Sequence, residues 1–147
     1  MSTTFQALGL SQALIDTITT LGFESPTPVQ EKAIPVLLEG GRDMVALAQT
    51  GTGKTAAFGL PLIDMIDGNS RTTQALVLSP TRELCLQITN DLERFSKGVK
   101  DLNIVAIYGG ASIVEQIRKV KRGAQIIVAT PGRLMDMMDR KAVDIKS

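Results

Sequence analysis

The stretch "AQTGTGKT", residues 48–55, decides the fold of this 147-residue chain. Gly51 and Gly53 let the backbone curl so that successive N–H groups converge on phosphate oxygens. Lys54 brings a positive charge to the β- and γ-phosphates, and the Thr55 hydroxyl is a suitable ligand for Mg²⁺. This combination predicts a nucleotide phosphate loop rather than a chance glycine-rich turn.

The residues on either side supply the structural context that a phosphate loop needs. "DMVALA" (43–48) reads as a buried strand, and a helical pattern runs from about Gly53 to Ile66. The general signature opens with Gly, whereas this chain has Ala48 at that position. Because a strand precedes the loop and a helix follows it, the interpretation as a phosphate site holds despite that departure.

Short β-branched runs and segments of helical periodicity alternate along the rest of the chain. This alternation predicts an α/β fold with a parallel sheet flanked by helices. The expected strands are "ALVLS" (75–79), "NIVAIYGG" (103–110) and "QIIVA" (125–129). Helices are also expected on both sides of the phosphate-loop helix. Before it, a first helix contains Leu14, Ile15, Ile18 and Leu21 and ends at Gly22, and a second runs from near Thr27 to Gly40-Gly41. After it, one helix has an apolar stripe of Leu84, Ile88, Leu92 and Phe95, the next starts with a Ser112–Glu115 capping box ahead of Ile117 and Val120, and the last runs from Arg133 to Arg140.

Composition indicates an ordinary soluble globular protein. Apolar residues make up 44% and charged residues 21%. No apolar run is long enough to span a bilayer, and "MSTTFQALGL" lacks the features of a secretory signal. Because the single Cys85 cannot form an intramolecular disulfide, a cytoplasmic location is expected.

The net charge of +1 is unevenly distributed along the chain. Residues 1–117 carry 8 Lys/Arg and 12 Asp/Glu, whereas residues 118–147 carry 8 and 3. "RKVKR" (118–122) is either the solvated face of a surface helix or a surface that attracts phosphates. Charge alone favours the solvated face.

Two segments share one pattern, namely an apolar strand, Ser/Thr-Pro-x-Arg, and a helix. They are "LVLSPTREL" and "IVATPGRLM". Ser79 or Thr130 would be the helix N-cap, with Pro80 or Pro131 at the first helical position. Parallel strands end at one edge of a sheet, so we expect both turns, and the phosphate loop with them, to present helix N-termini to one surface that suits phosphates.

The segment "GFESPTPVQ", residues 22–30, admits two interpretations. In the first, Thr27 is a helix N-cap, Pro28 the first helical residue, Gln30 the partner in a capping box, and Phe23 a core residue. In the second, the Gln30 amide pairs with the N6 amino group and N7 of adenine, and Phe23 stacks on the base. The local pattern favours the cap.

At this point the chain resembles the DEAD-box RNA helicases. "GFESPTPVQ", with Phe5 upstream, resembles the family's Q motif, and "AQTGTGKT" resembles motif I, including the leading Ala48. "PTREL" (80–84), Gly109-Gly110 and "TPGR" (130–133) resemble motif Ia, the GG doublet and motif Ib. The later motifs are short, but together and in this order the motifs are specific, and they cover nearly the whole chain.

The resemblance implies a RecA-like P-loop NTPase domain that binds ATP with Mg²⁺ and contacts RNA. It implies that Phe23 and Gln30 recognise adenine, that Lys54 and Thr55 are catalytic, and that Thr55 holds Mg²⁺ through ATP. The implied nucleotide-binding residues are Phe23, Gln30, Ala48, Gln49, Thr50, Gly51, Thr52, Gly53, Lys54 and Thr55. The implied RNA-binding residues are Pro80, Thr81, Arg82, Gly110, Thr130, Gly132 and Arg133. Contacts to the RNA backbone imply little sequence preference and a strong salt dependence.

The family pattern continues beyond motif Ib with elements that residues 1–147 do not contain. These are an Asp-Glu-Ala-Asp strand, a Ser-Ala-Thr motif and a second RecA-like domain. We therefore expect residues 1–147 to be a truncated N-terminal RecA-like domain, with a Q-motif region at 1–31, the phosphate-loop strand and helix at 43–66, and RNA-facing βα units at 75–147. Such a chain is expected to be inactive alone, and to be poorly stable or to self-associate through exposed strand edges.

Three functions are compatible with these observations. The first is an ATP-dependent RNA helicase in the intact protein, and the second is a truncated module that binds nucleotide or RNA without turnover. The third is another P-loop NTPase, such as a kinase or a DNA translocase. Hydrolysis stimulated by RNA but not by DNA separates the first from the third, and ATP affinity without turnover indicates the second.

Overall fold

A computed structural model of the chain describes residues 4–40 and 54–143. Contacts divide the chain into two compact units, Met1–Ile66 with Arg94–Asp101 and Asp67–Glu93 with Leu102–Ser147. The expected strand at 43–48 and the rest of the phosphate loop up to Gly53 lie outside the described residues. What the sequence predicts for them stays a prediction.

The described part of the first unit is helical. A short 3-10 helix, Gln6–Leu8, precedes α1 (Gln12–Thr20), α2 (Pro28–Glu39) and α3 (Lys54–Met65). α2 packs along α3, and the largest fully buried apolar side chains of this unit are Leu14, Ile18, Ile34, Leu60 and Ile63. The three helices occupy the places that periodicity and capping residues predict, and Gly22 follows α1 with the positive φ of +100° that suits a helix end.

Two polar side chains from distant parts of the chain fix the ends of these helices. Lys100 Nζ donates to the carbonyl oxygens of Ile63, Asp64 and Ile66 at 2.7, 3.0 and 2.7 Å, which satisfies carbonyls at the C-terminal end of α3. The backbone N–H and the hydroxyl of Ser11, the N-cap of α1, donate to the two carboxylate oxygens of Asp64 at 2.8 and 2.7 Å. These contacts join the start of α1 and the chain after α4 to the end of α3.

The second unit contains a parallel sheet in the order β1-β3-β2. Its strands are β1 (Ala75–Leu78), β2 (Ile104–Ile107) and β3 (Ile126–Ala129), and they are followed in turn by α4 (Arg82–Ser96), α5 (Ile113–Lys121) and α6 (Pro131–Asp139). Leu78 and Ile107 both align with Ala129, so the three strands end level with each other. The prediction of a parallel sheet flanked by helices is confirmed, with three strands in the described ranges.

The core of this unit lies between the sheet and its helices. β3 is buried along its whole length, as expected for the central strand of a parallel sheet. Ile107, Ile127 and Ala129 pack with Leu134 and Met137 of α6. Ile117 and Val120 of α5 pack against this cluster, as their spacing predicts.

The predicted apolar stripe of α4 is wrong at its first residue. Leu84 is exposed, and the buried residues are Cys85, Ile88, Leu92 and Phe95. A stripe that starts at Cys85 keeps the spacing of three and four residues that places side chains on one helix face.

None of the helices in the described ranges combines the length and apolarity that crossing a bilayer requires.

Two further helix predictions differ from the structure in detail. The Ser112 hydroxyl accepts a hydrogen bond from the Glu115 N–H at 3.4 Å. The Glu115 carboxylate instead accepts from Arg118 at 2.8 Å, so the capping box is only half formed. The last helix begins at Pro131 rather than Arg133, because proline is well suited to the first helical position.

Candidate functional site

Residues 22–30 form the helix cap that their sequence predicts. The Thr27 hydroxyl accepts from the Gln30 N–H at 3.4 Å, and Gln30 Oε1 accepts from the Thr27 N–H at 3.0 Å. Pro28 is the first residue of α2. The capping interpretation is therefore confirmed. Gln30 is only 2% exposed, and its contact with adenine stays a prediction.

Phe23 is half-buried in an aromatic cluster of the first unit. Its ring centroid lies 6.2 Å from that of Phe5 and 5.8 Å from that of Phe95, with an edge-to-face angle of 87° to Phe95. Such pairs contribute about 0.5–1.5 kcal/mol beyond the area they bury. These contacts support the core interpretation of Phe23, and stacking on adenine stays a prediction.

Lys54 and Thr55 are the first two described residues of α3. Lys54 is exposed, and Thr55 is half-buried. The N–H groups in the first turn of a helix lack intrahelical partners and favour anions, as does the helix dipole. The other predicted phosphate-loop residues lie outside the described part of the chain, and they are Ala48, Gln49, Thr50, Gly51, Thr52 and Gly53.

The described residues include no group of three or more His, Cys, Asp or Glu side chains that could hold a metal ion. The hydroxyl of Thr55 is a hard oxygen ligand, of the kind that Mg²⁺ accepts alongside phosphate oxygens and water. This donor therefore fits Mg²⁺ that arrives with a nucleotide.

Three turns meet where the parallel strands of the second unit end. They are residues 79–82 after β1, 108–112 after β2 and 130–133 after β3, and we call them the carboxyl-edge turns. The first residues of the turns after β1 and β3 each donate a backbone hydrogen bond of 2.9 Å to the last carbonyl of a neighbouring strand. The prediction that the two Ser/Thr-Pro-x-Arg turns share one edge of the sheet is confirmed.

The helix after β1 starts later than its sequence predicts. The Thr81 hydroxyl accepts from the Leu84 N–H at 3.2 Å, so Thr81 is the N-cap of α4 and Pro80 lies before the helix. The hydroxyl of Ser79 donates instead to the Thr81 carbonyl at 3.2 Å. The prediction of Ser79 as the cap is wrong because Thr81 provides a second capping hydroxyl after the proline.

The turn after β3 follows the prediction more closely. Thr130 is the N-cap of α6 and Pro131 its first residue, although the Thr130 side chain makes no capping hydrogen bond. In this turn Gly132 occupies the position that Thr81 has in the turn after β1, so no later hydroxyl competes to cap the helix. Arg82 is consequently the first residue of its helix, whereas Arg133 is the third of its own.

Arg82 lies against the turn after β2. Its guanidinium carbon is 5.2 Å from the centroid of the Tyr108 ring, a contact that contributes about 0.5–1 kcal/mol at an exposed site. Gly110 has a φ of +84°, and a Cβ added there would be 3.4 Å from Arg82 Nη1. The glycine therefore permits both the turn and the close approach of the arginine.

Arg133 lies against the same turn from the other helix. Its Nη1 donates to the Ala111 carbonyl and to Gln116 Oε1, each at 3.1 Å. Neither Arg133 nor Arg82 forms an ion pair with a described acidic side chain. Among the described residues, the printed partners of both guanidinium groups are thus uncharged.

All the predicted RNA-binding residues belong to the carboxyl-edge turns. These residues are Pro80, Thr81, Arg82, Gly110, Thr130, Gly132 and Arg133. Sequence reasoning missed Tyr108 and Gln116, which hold the two arginines. The signal for Gln116 is a glutamine between Ile113 and Ile117 on the buried face of α5. RNA binding by this edge stays a prediction.

The basic run at residues 118–122 lies away from the carboxyl-edge turns. α5 begins after the turn that follows β2 and returns towards the start of β3, so its last turn lies at the opposite edge of the sheet. Arg118, Lys119 and Lys121 are exposed in that last turn, where cations favour the helix dipole. The run is thus a solvated helix face, and whether it attracts phosphates is not tested.

Cys85 is buried under the sheet. Its Sγ lies 3.2 Å from the Val128 carbonyl oxygen. Burial raises the pKa of the Cys85 thiol above its ordinary value. The thiol is therefore protonated at neutral pH and unsuited to act as a nucleophile.

The chain matches a known family and named relatives. Residues 27–147 match the DEAD/DEAH box helicase family model. The chain is 48% identical over 143 residues to the ATP-dependent RNA helicase DeaD of Klebsiella pneumoniae, covering 97% of this chain and 22% of that protein. It is 50% identical over 147 residues to the RNA helicase CrhR of Synechocystis, covering 100% of this chain and 29% of that protein. The chain thus spans less than a third of the length of these relatives.

Solved structures show the same fold. A DEAD box protein from the hyperthermophile Methanococcus jannaschii aligns with a TM-score of 0.91 at 43% identity, covering 97% of this chain and 39% of that one. A variant of S. cerevisiae Dbp5 bound to RNA and ADP BeF3 aligns with a TM-score of 0.84 at 34% identity, covering 97% of this chain and 36% of that one.

Proposed function

This chain belongs to the DEAD/DEAH box helicase family and has its RecA-like fold, and from that premise we propose that it is the ATP-binding and RNA-contacting part of an ATP-dependent RNA helicase. The observation that carries the proposal is the meeting of Arg82, Gly110 and Arg133 at one edge of the sheet. The Dbp5 relative, whose structure holds RNA and a nucleotide, has the same fold.

On the nucleotide side, Phe23 and Gln30 contact adenine, and residues 48–55 hold the phosphates. Lys54 contributes positive charge to the β- and γ-phosphates, and the Thr55 hydroxyl ligates the Mg²⁺ that accompanies ATP. The supporting observations are the exposure of Lys54 at the start of α3 and the cap that fixes Gln30. Bound Mg²⁺ would neutralise charge on the phosphates during transfer.

On the RNA side, the carboxyl-edge turns bind the sugar-phosphate backbone. Two guanidinium groups that lack carboxylate partners among the described residues keep their charge for phosphates, and phosphate contacts carry no sequence information. Affinity should therefore be similar for different single-stranded sequences and should fall steeply with salt.

We assign the Q-motif region to residues 1–31, the phosphate-loop strand and helix to 43–66, and the RNA-facing βα units to 75–147 of a cytoplasmic protein. Phosphoryl transfer needs metal ligands, an oriented water and charge stabilisation together. The residues that we assign supply the phosphate cradle and part of the metal site. Turnover is therefore proposed for the natural protein that carries this chain, and nucleotide binding for the chain itself.

ATP hydrolysis by that natural protein, measured with single-stranded RNA and with single-stranded DNA, tests the proposal. We expect single-stranded RNA, but not single-stranded DNA, to stimulate ATP hydrolysis. Lys54→Ala should weaken the binding of ATP and of GTP to the same extent, because the lysine contacts phosphates. Equal stimulation by DNA would indicate another P-loop NTPase, and nucleotide binding without any turnover would indicate a binding module.

Arg133→Ala tests the RNA-binding edge directly. This substitution should lower the affinity for a short fluorescent oligouridylate by about tenfold. It should also reduce the slope of log affinity against log salt by roughly 0.7, the value of one single-strand phosphate contact. ATP affinity should not change. An unchanged RNA affinity would remove this edge from the RNA site.

A further inference from the structure

We propose that Gln116 is a positioning residue for RNA binding, whose buried amide holds Arg133 and the turn after β2 in the arrangement that accepts an RNA phosphate. The inference rests on the proposed function, since it assumes that Arg133 contacts RNA. Gln116 itself is 5% exposed, and it acts through Arg133 rather than by touching RNA.

One amide joins three parts of the second unit. Gln116 Oε1 accepts from the Tyr108 N–H at 3.3 Å and from Arg133 Nη1 at 3.1 Å. Its Nε2 donates to the Tyr108 carbonyl at 3.1 Å. Gln116 belongs to α5, Tyr108 to the turn after β2, and Arg133 to α6, so a single side chain sets the position of the arginine relative to the turn.

These partners require the chemistry of an amide. The Tyr108 carbonyl needs a donor, whereas the Tyr108 N–H and Arg133 need acceptors, and only an amide provides both at this length. A carboxylate would place a second oxygen against the Tyr108 carbonyl. It would also form an ion pair with Arg133 and reduce the charge available to a phosphate.

The contacts leave the phosphate-binding part of Arg133 available. Both N–H groups of Nη1 are used, one by Gln116 and one by the Ala111 carbonyl. The Nη2 and Nε groups make no hydrogen bond to a described residue, and such a pair of donors matches the oxygens of one phosphate in a bidentate contact. Because both acceptors at Nη1 are uncharged, the guanidinium keeps its full charge.

Gln125 offers a matched control in the same unit. It is 3% exposed, and its amide also joins separate segments, accepting from the Asn103 N–H at 2.9 Å and donating to the Ser70 carbonyl at 2.9 Å. Gln125 precedes β3, so it lies at the opposite edge from the carboxyl-edge turns. Replacing it removes a comparable buried hydrogen-bonding amide without touching either arginine.

The test compares Gln116→Met, Gln125→Met, Arg133→Ala and the double variant Gln116→Met/Arg133→Ala in the natural protein. Binding of the short fluorescent oligouridylate and of ATP is titrated, and thermal unfolding is recorded for each variant. We expect Gln116→Met to lower the affinity for RNA by about fivefold and Arg133→Ala to lower it by about tenfold. The RNA affinity of the double variant should lie within about twofold of that of Arg133→Ala. ATP affinity should not change, and Gln125→Met should bind RNA like the parent although its melting temperature falls.

Independent losses that multiply in the double variant, or an unchanged RNA affinity in Gln116→Met, would overturn the positioning role. Where Gln116→Met does not fold, Gln116→Glu serves in its place, and wild-type RNA affinity in that variant would also overturn the proposal. An Arg133→Ala variant that binds RNA normally would refute the proposed RNA edge itself. The failure of the positioning role and the failure of the proposed function are thus distinguished.

Discussion

Gln30 is the residue at which two roles meet. Its capping box with Thr27 is present, and we propose that the same amide recognises adenine. Gln30→Ala should therefore weaken ATP relative to GTP by roughly tenfold, from about 1–3 kcal/mol of lost hydrogen bonding. It should also lower the free energy of unfolding by about 1 kcal/mol through the lost cap. Competition titrations with both nucleotides and urea denaturation measure the two effects.

Thr27→Ala is the matched control for that prediction. It removes the capping hydroxyl and should cost about 1 kcal/mol of stability, yet it leaves the Gln30 amide intact. The preference for ATP over GTP should survive in Thr27→Ala. If Gln30→Ala weakens both nucleotides equally, Gln30 is a cap and nothing more.

Local residue pairs could be predicted from the sequence, and distant pairs could not. The Thr27–Gln30 capping box depends on a spacing of three residues within one helix turn, and such a spacing can be read directly from the sequence. The bonds from Gln116 to Tyr108 and Arg133 depend on how α5 and α6 pack on the sheet. Nothing in the neighbourhood of Gln116 except its place on an apolar helix face points to them.

At the scale of elements, the turn after β2 accommodates the guanidinium of Arg82, from α4, beside two glycines that are not equivalent. A Cβ at Gly110 would combine a φ of +84° with a distance of 3.4 Å to Arg82 Nη1, whereas a Cβ at Gly109 would meet nothing within 4 Å. Gly110→Ala should destabilise the protein by about 1–2 kcal/mol and weaken RNA by several fold as Arg82 is displaced. Gly109→Ala should change both quantities little.

Urea denaturation and oligouridylate titration of these two variants measure the predicted difference. Equal effects of Gly110→Ala and Gly109→Ala would show that the positive φ and the contact with Arg82 do not control the turn.

Element types were predictable because they follow from periodicity, but helix starts were not. The two Ser/Thr-Pro-x-Arg turns look alike in sequence, yet α4 starts after Thr81 and α6 after Thr130. The difference comes from one side chain, since Thr81 has a hydroxyl that bonds to the Leu84 N–H. Competition between neighbouring capping hydroxyls is decided by backbone geometry, which pattern reasoning does not supply.

At the scale of the whole molecule, we expect β1, one of the two outer strands of the described sheet, to govern self-association. Within the described residues β1 pairs only with β3, and Leu78 at its end is 57% exposed. A strand edge that carries an exposed apolar residue is a template for pairing with another copy. Leu78→Lys should therefore increase the monomer fraction of the 147-residue chain severalfold in sedimentation velocity at high micromolar concentration.

Met135→Lys separates strand pairing from general surface hydrophobicity. Met135 is 64% exposed, but it lies on α6, and a helix presents no strand edge for pairing. This variant adds the same charge and removes a similar apolar area, so self-association should persist in it. If both variants become monomeric, apolar area rather than the strand edge drives association. A parent chain that is already monomeric, with a sharp and reversible melt, would show that the sheet edge is protected and that the expected self-association is wrong.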